Sequence, residues 1–177
     1  KYQVVEDLII NENWLDRGCI VFSQYRDSIL WLSDRLTERL PNEPIGIYSG
    51  STTSFVVINK ERKPISREII KERVRTGKIR LLLGTDAASE GINLQKLGTL
   101  INLDLPWNPT KLEQRKGRIQ RIGQIHDPIY VYNLRYKDSV EDRVHELLST
   151  RLKNIHDLFG QIPDVLEDAW ISVALGK

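Results

Sequence analysis

The chain has 177 residues, 40% of them hydrophobic and 28% charged, with a net charge of +2. That length supports one domain with its own core, and the balanced charge excludes a globally basic nucleic-acid binder, so any basic site is local. The lone cysteine, Cys19, excludes an intrachain disulfide and suits a reducing compartment, and no run approaches the roughly 20 apolar residues of a membrane span.

The opening KYQVVEDLII lacks the charged-then-apolar form of a signal peptide. The absence of Met predicts that the natural protein begins upstream. Residues 2–14 read as a helix with Val5, Leu8 and Ile9 on one face. Cys19-Ile20-Val21-Phe22 is a continuous apolar run, as a strand covered on both sides requires. Residues 27–40 carry a helical stripe at Ile29, Leu30, Leu32 and Leu36, and Pro41 ends it. Residues 45–48 form a second strand running into Ser49-Gly50-Ser51. Residues 52–65 fit either a small hairpin or a mobile insertion. Ser66 is the expected N-cap of a helix ending near Arg75, with Gly77 as its stop. Residues 79–83 and 99–103 are further strands, residues 109–121 a helix with Pro in its first turn, and residues 128–134 a fifth strand. Asp138-Ser-Val-Glu141 has the form of a capping box opening a long helix with Val140, Val144, Leu147, Leu148, Leu152, Ile155 and Phe159 on one face. This alternation predicts an α/β fold: a parallel sheet with helices on both faces over residues 1–159, then a tail over 160–177 read as a short helix.

Three segments follow directly on predicted strands, at the sheet edge where ligands of open α/β folds bind. In Gln114-Arg-Lys-Gly-Arg118-Ile-Gln-Arg121-Ile-Gly-Gln124, four cations fall between Gln114 and Arg121. Arg118 and Arg121 stand three apart, which predicts a shared helix face and two guanidinium forks suited to a polyphosphate. Charge alone fits equally a solvated basic helix with Glu113 as partner. Leu83-Gly84-Thr85-Asp86-Ala-Ala-Ser-Glu90-Gly91-Ile92-Asn93-Leu94-Gln95 passes from an apolar strand into small and polar residues that suit phosphate contact. It fits as well a tight connection with Asp86 as a helix cap. Val21-Phe22-Ser23-Gln24-Tyr25-Arg26 places a polar cluster after a buried strand, as a ligand contact or as a cap.

Other residues carry plainer expectations. Cys19 is a buried apolar residue of its strand. His126, His145 and His156 lack metal-ligand spacing, so no metal site is expected. Glu141 and Asp142 are helix-start charges. Trp107 is assigned to packing ahead of stacking. Residues 60–63 are a solvated turn that also lies open to phosphate contact.

The combination and order of the three segments are more specific than any one. Together they resemble the C-terminal RecA-like lobe of superfamily-two helicases, a P-loop NTPase-type fold. FSQYRDS looks like motif IV, GTDAASEGINLQ like motif V and QRKGRIQRIGQ like motif VI. INLDLPWNPTKLEQR, read through to RIGQ, is similar to the Swi/Snf branch and, within it, the bacterial RapA-like proteins. The resemblance runs from about residue 19 to residue 148 and weakens across residues 52–64 and after Phe159.

The resemblance implies a cleft between two lobes holding ATP, with Walker A and the Mg²⁺-binding Walker B motif on an N-terminal lobe. Neither Gly77-Lys78 nor Gly176-Lys177 completes G-x-x-x-x-G-K-[ST], so this piece alone is expected to hydrolyse no ATP at a useful rate. It implies Arg118 and Arg121 as arginine fingers, with Gln114, Glu90, Gly91 and Asn93 on the nucleotide side. Thr85, Ser49, Gly50, Ser51, Ser23 and Gln24 are implied for the nucleic-acid backbone, gripping phosphates without reading bases. The implied partner is double-stranded DNA, beside the N-terminal lobe of the same chain, in a cytoplasmic, nucleoid-associated setting. An RNA or single-strand helicase, and a non-catalytic interaction lobe, remain as alternatives.

Overall fold

The computed structural model describes residues 1–49, 54–86, 92, 94–106, 109–140, 142, 143, 146 and 147. A sheet of seven strands is built from β1 (Cys19–Phe22), β2 (Ile45–Tyr48), β3 (Ser54–Ile58), β4 (Glu61–Ile65), β5 (Leu81–Gly84), β6 (Thr99–Asn102) and β7 (Tyr130–Asn133). Their spatial order is β4-β3-β2-β5-β1-β6-β7. Strands β2, β5, β1, β6 and β7 are mutually parallel, while β3 and β4 add antiparallel at one edge. The four central strands are buried along their whole length, as their continuous apolar runs require.

Helices α1 (Tyr2–Glu6), α2 (Arg26–Arg39), α3 (Arg67–Arg75) and α4 (Pro109–Ile119) cover both faces. From β1 to β2 the chain steps one way along the sheet, and α2 lies on the face that packs Ile29, Leu32 and Leu36 against Val21, Ile47 and Leu83. From β2 to β5, and again from β6 to β7, it steps the other way. The helices of those crossovers lie opposite, with Ile70, Val74 and Ile119 against Ile20, Phe22, Leu82 and Leu100. Reversed steps with reversed faces keep the crossovers of one hand, as the twist of the strands demands.

Several expectations are refined. The first helix is shorter than residues 2–14: α1 passes into a π-helical turn over Asp7–Asn11, and Trp14 packs beyond it against Tyr130 and Tyr132. The segment after the second strand is a hairpin, β3–β4. Its two-residue turn, Asn59 and Lys60, has positive φ at both positions, the primed geometry that matches strand twist. The cations of residues 60–63 are each paired: Lys60 with Glu38, Arg62 with Asp34 at 2.6 Å, and Lys63 with Glu61. The expected Ser66 cap is present, its hydroxyl accepting from Ile69 N–H at 3.3 Å, and Gly77 follows with φ +73°. The C-terminal capping interaction sits one residue later than Asp138–Glu141. Ser139 Oγ accepts from Asp142 N–H at 3.2 Å, and Asp142 accepts in turn from Asp138 N–H. Beyond it Val140, Asp142, Arg143, Glu146 and Leu147 are helical, with Val140 and Leu147 exposed; the rest of the expected long helix and the 160–177 tail lie outside the described residues. Among the described residues, no helix is long and apolar enough to cross a membrane.

Two outcomes are expected from this packing. Lys60→Gly completes the Asn-Gly pair that a primed turn favours, and urea unfolding should show about 0.5 kcal/mol of added stability. Burial pushes the Cys19 thiol up to about 12. At pH 8 its alkylation in the folded protein should run about a thousandfold slower than that of an unstructured thiol, and recover on unfolding.

Candidate nucleotide and nucleic-acid interface

The parallel strands deliver their following residues to one edge of the sheet. Ser49 follows β2, Thr85 and Asp86 follow β5, Ser23 and Gln24 follow β1, and Asp104 follows β6. Main-chain bonds extend the pairing past the strand ends, with Ser23 N–H donating to Gly84 and Thr85 N–H to Tyr48. These residues are therefore held in register by the sheet.

At the centre of this edge stands Arg115, on the inner face of α4 with 0% exposure. It is the one fully buried cation among the described residues. Its Nε donates to Asp86 Oδ1 at 2.8 Å, and its Nη2 approaches the same oxygen at 2.6 Å, a charge contact more than an aligned hydrogen bond. Its Nη1 donates to Asn102 Oδ1 at 2.9 Å and to the Asp104 carbonyl at 3.2 Å. The guanidinium also lies 5.2 Å from the centre of the Phe22 ring. Asn102 is oriented in turn by donating to Asn133 Oδ1 at 2.7 Å. Asp86 is thus the counter-ion of a buried arginine. Neither residue's part in this clamp was visible in the sequence, where Arg115 merges into a run of four cations. A buried fork with three acceptors draws them from the ends of two strands, β5 and β6, which no local spacing reveals.

The other two arginines of the run differ. Arg118 is half-buried and its Nε has no hydrogen-bond partner; Arg121 is exposed. Among the described residues neither guanidinium has an ion pair or a hydrogen bond. The expected shared helix face is corrected: α4 ends at Ile119, and Arg121 lies on the turn beyond it, its N–H donating to the Ile119 carbonyl. Side chains end the helix. Gln124 Nε2 donates to the Ile119 carbonyl at 2.7 Å and to Leu97 at 3.0 Å, while Gln95 donates to Ile122. Amides that satisfy terminal carbonyls this way replace the next helical turn. Gly123, at φ +90°, completes the bend beside Gln95. Gly98 admits the His126 ring so closely that an added Cβ would meet it at 2.7 Å.

Of the remaining expected residues, Gln114 is exposed on α4, and Gln24 and Thr85 are half-buried at the edge. Ser23 and Ser49 are buried. The Ser23 hydroxyl donates to Asp104, and the Ser49 carbonyl accepts from Arg67 at 2.9 Å. The structure therefore places both serines beneath the surface that was expected to use them. Gly50, Ser51, Glu90, Gly91, Asn93 and Trp107 lie outside the described residues. Among the described residues, no group of three or more His, Cys, Asp or Glu side chains is arranged to hold a metal ion.

Comparison with known proteins agrees with this arrangement. Residues 1–123 match the family described as the helicase conserved C-terminal domain. The chain belongs to that family. The match begins before β1 and reaches Gly123, taking in the whole Arg115 clamp and both unpaired arginines. The domain is 36% identical over 152 residues to an uncharacterized ATP-dependent helicase, YqhH, of Bacillus subtilis, covering 86% of this chain and 25% of the relative. It is 29% identical over 150 residues to the Zorya protein ZorD of Escherichia coli, covering 82% and 13%. A shorter match, 31% over 108 residues, joins it to the ATP-dependent RNA helicase FAL1 of Kluyveromyces lactis, covering 60% of this chain and 24% of that protein. This helicase C-terminal domain thus spans a quarter or less of each of these relatives. Its sheet and helices superpose on the C-terminal part of the Fun30 ATPase domain with a TM-score of 0.62 at 22% identity, covering 82% of this chain and 42% of the other. That likeness establishes the RecA-like fold.

Asp86→Asn leaves the Arg115 cation fully buried without a counter-charge. Chemical denaturation should show a loss of about 3 kcal/mol, the low end for a broken buried pair because Asp86 is itself 29% exposed.

Proposed function

We propose that this domain is the C-terminal lobe of an ATP-driven motor that moves along nucleic acid, with double-stranded DNA as its track. The observation that carries this reading is the unlike treatment of neighbouring arginines. Arg115 is locked inside, while Arg118 and Arg121, three and six residues on, have no partner among the described residues. A guanidinium free of internal partners keeps its donors for an incoming anion.

In this reading a second lobe, N-terminal to this one, carries the Walker A lysine and holds Mg²⁺. ATP lies between the lobes, and closure brings Arg118 and Arg121 against the charge that develops on the transferring phosphoryl group. Such preorganised charge acts only in the closed state, which ties hydrolysis to whatever nucleic acid bridges the lobes. Gln114, with Glu90, Gly91 and Asn93, completes the nucleotide side. Gln24, Thr85, Gly50 and Ser51 meet backbone phosphates, with Ser23 and Ser49 supporting them from beneath. Contacts of this kind grip without reading sequence, as a moving motor requires. The choice of DNA rests on the similarity of DLPWNP and QRKGRIQRIGQ to the Swi/Snf and RapA-like branch. The FAL1 relative, named as an RNA helicase, supports an RNA track as the second reading.

The test is ATP hydrolysis by the full-length protein without nucleic acid and with duplex DNA, single-stranded DNA or RNA. Duplex DNA should give the largest stimulation; a response to RNA alone would move the track to RNA. Hydrolysis under none of these conditions would leave a binding lobe. Arg118→Ala and Arg121→Ala should each lower the stimulated rate by about 10³-fold or more. Their melting temperatures should stay within about 2 °C of wild type, because neither side chain takes part in the fold's internal pairing. An unchanged rate in either variant removes that arginine from the mechanism.

A further inference from the structure

We infer that Asp104 is a positioning residue that couples the turn after β1 to the helix leading into the two unpaired arginines. The inference rests on the motor reading above and adds to it a route by which nucleic acid controls hydrolysis.

Asp104 lies two residues past β6 and is 9% exposed. A carboxylate so placed needs hydrogen bonds to offset its lost hydration. Both of its oxygens turn toward β1. Oδ1 accepts from the Gln24 N–H at 2.9 Å, and Oδ2 accepts from the Ser23 hydroxyl. The same turn is fastened twice more: the Gln24 side-chain amide donates to the Leu105 carbonyl at 3.2 Å, and the Tyr25 N–H donates to Ser23 Oγ at 3.0 Å. The main chain of Asp104 faces the other way, its carbonyl accepting from Arg115 Nη1 at 3.2 Å. One residue therefore holds the Ser23–Gln24 turn with its side chain and α4 with its backbone. From Gln24 to Arg115 the path is two hydrogen-bonded links long, and Arg118 follows one helical turn on.

The chemistry of the link makes it separable from simple packing. No cation pairs with the Asp104 carboxylate among the described residues, so its charge is held by two hydrogen bonds from the β1 turn. Two donors, an N–H and an O–H, require two acceptors. A carboxylate supplies both. An asparagine of the same shape still accepts from the Gln24 N–H, but its NH₂ donates to the Ser23 oxygen, which reverses that bond, turns the serine proton away and removes the charge. A displacement of the turn by a phosphate at Gln24 is then no longer passed faithfully to Asp104 and Arg115.

The experiment compares full-length wild type with Asp104→Asn, reading melting temperature, affinity for duplex DNA, unstimulated hydrolysis and hydrolysis at saturating DNA. Expected is a variant with near-wild-type melting and unstimulated rate, and DNA affinity within about twofold of wild type. Its stimulation at saturation should be reduced about tenfold, within the usual range of coupling between sites. Full stimulation in the folded variant overturns the inference. So does a loss confined to DNA affinity with saturating stimulation intact, because Asp104 would then only shape the binding surface. Should Asp104→Asn melt far below wild type, Ser23→Ala is read on one quantity alone, the ratio of hydrolysis at saturating DNA to its own unstimulated rate. That substitution deletes one of the two donors from a side chain with 0% exposure, and an intact ratio there overturns the inference equally. Absence of stimulation in wild type by any nucleic acid overturns the motor reading, and the coupling with it, and is distinguished from failure of the coupling alone by the wild-type arm.

Discussion

A guanidinium does not shed its proton under any ordinary condition, so an arginine with no exposed surface must be neutralised and hydrogen-bonded where it stands. Arg115 meets that demand with groups from separate strand ends: Asp86 after β5, Asn102 at the end of β6 and the Asp104 carbonyl beyond it. The requirement works in both directions. It seats α4 on the sheet face that carries Phe22, and it fixes the loops after β5 and β6 relative to one another. A hydrophobic side chain could fill the same volume, but it would leave Asp86, Asn102 and the Asp104 carbonyl to find other partners. The clamp contributes geometry more than net stability, since the desolvation of a buried pair offsets much of its attraction.

That geometry explains how one short cationic run does two jobs. Arg115 faces inward, while Arg118 and Arg121 stay unpaired, and the difference is a matter of direction along α4 and the turn after it. The turn is itself built by side chains. Gln124 takes the Ile119 carbonyl that a further helical turn would have used, and Gln95 holds the Ile122 carbonyl beyond it, so Arg121 stands on a turn and not on the helix. The last glutamine of RIGQ therefore has a structural role of its own: it shapes the turn on which an arginine is presented.

The two edges of the sheet are finished differently. At one edge, β4 carries Glu61, Arg62, Lys63 and Pro64, all exposed, and its cations pair with acids of α2 and of the strand itself. Charge and proline at an edge discourage pairing with another chain. At the other edge, β7 is Tyr-Val-Tyr-Asn, exposed throughout, with Arg17 over the Tyr130 ring and Trp14 behind it. The hairpin thus protects an edge, which gives the segment after the second strand a purpose in the fold.

Much of the architecture was written locally. Continuous apolar runs at β1, β2, β5 and β6 follow from burial on both faces, and the Ser66 cap and the Gly77 stop follow from hydroxyl chemistry and positive φ. The parallel α/β class and the candidate edge were legible from these alone, and the ordered motifs pointed to the family. What the linear chain did not disclose depends on groups distant along it. Arg115 and Arg118 are the same residue type three positions apart, and only the approach of Asp86 and Asn102 separates a buried clamp from an unpartnered cation. Ser23 looked like a surface contact until Asp104, 81 residues away, took its hydroxyl. Local sequence determined which elements form and where they end, because backbone preference and apolar periodicity act over a few residues. Tertiary structure alone decided which polar side chains are occupied and which stay available, because a hydrogen bond to a buried charge depends on what the fold brings within 3 Å.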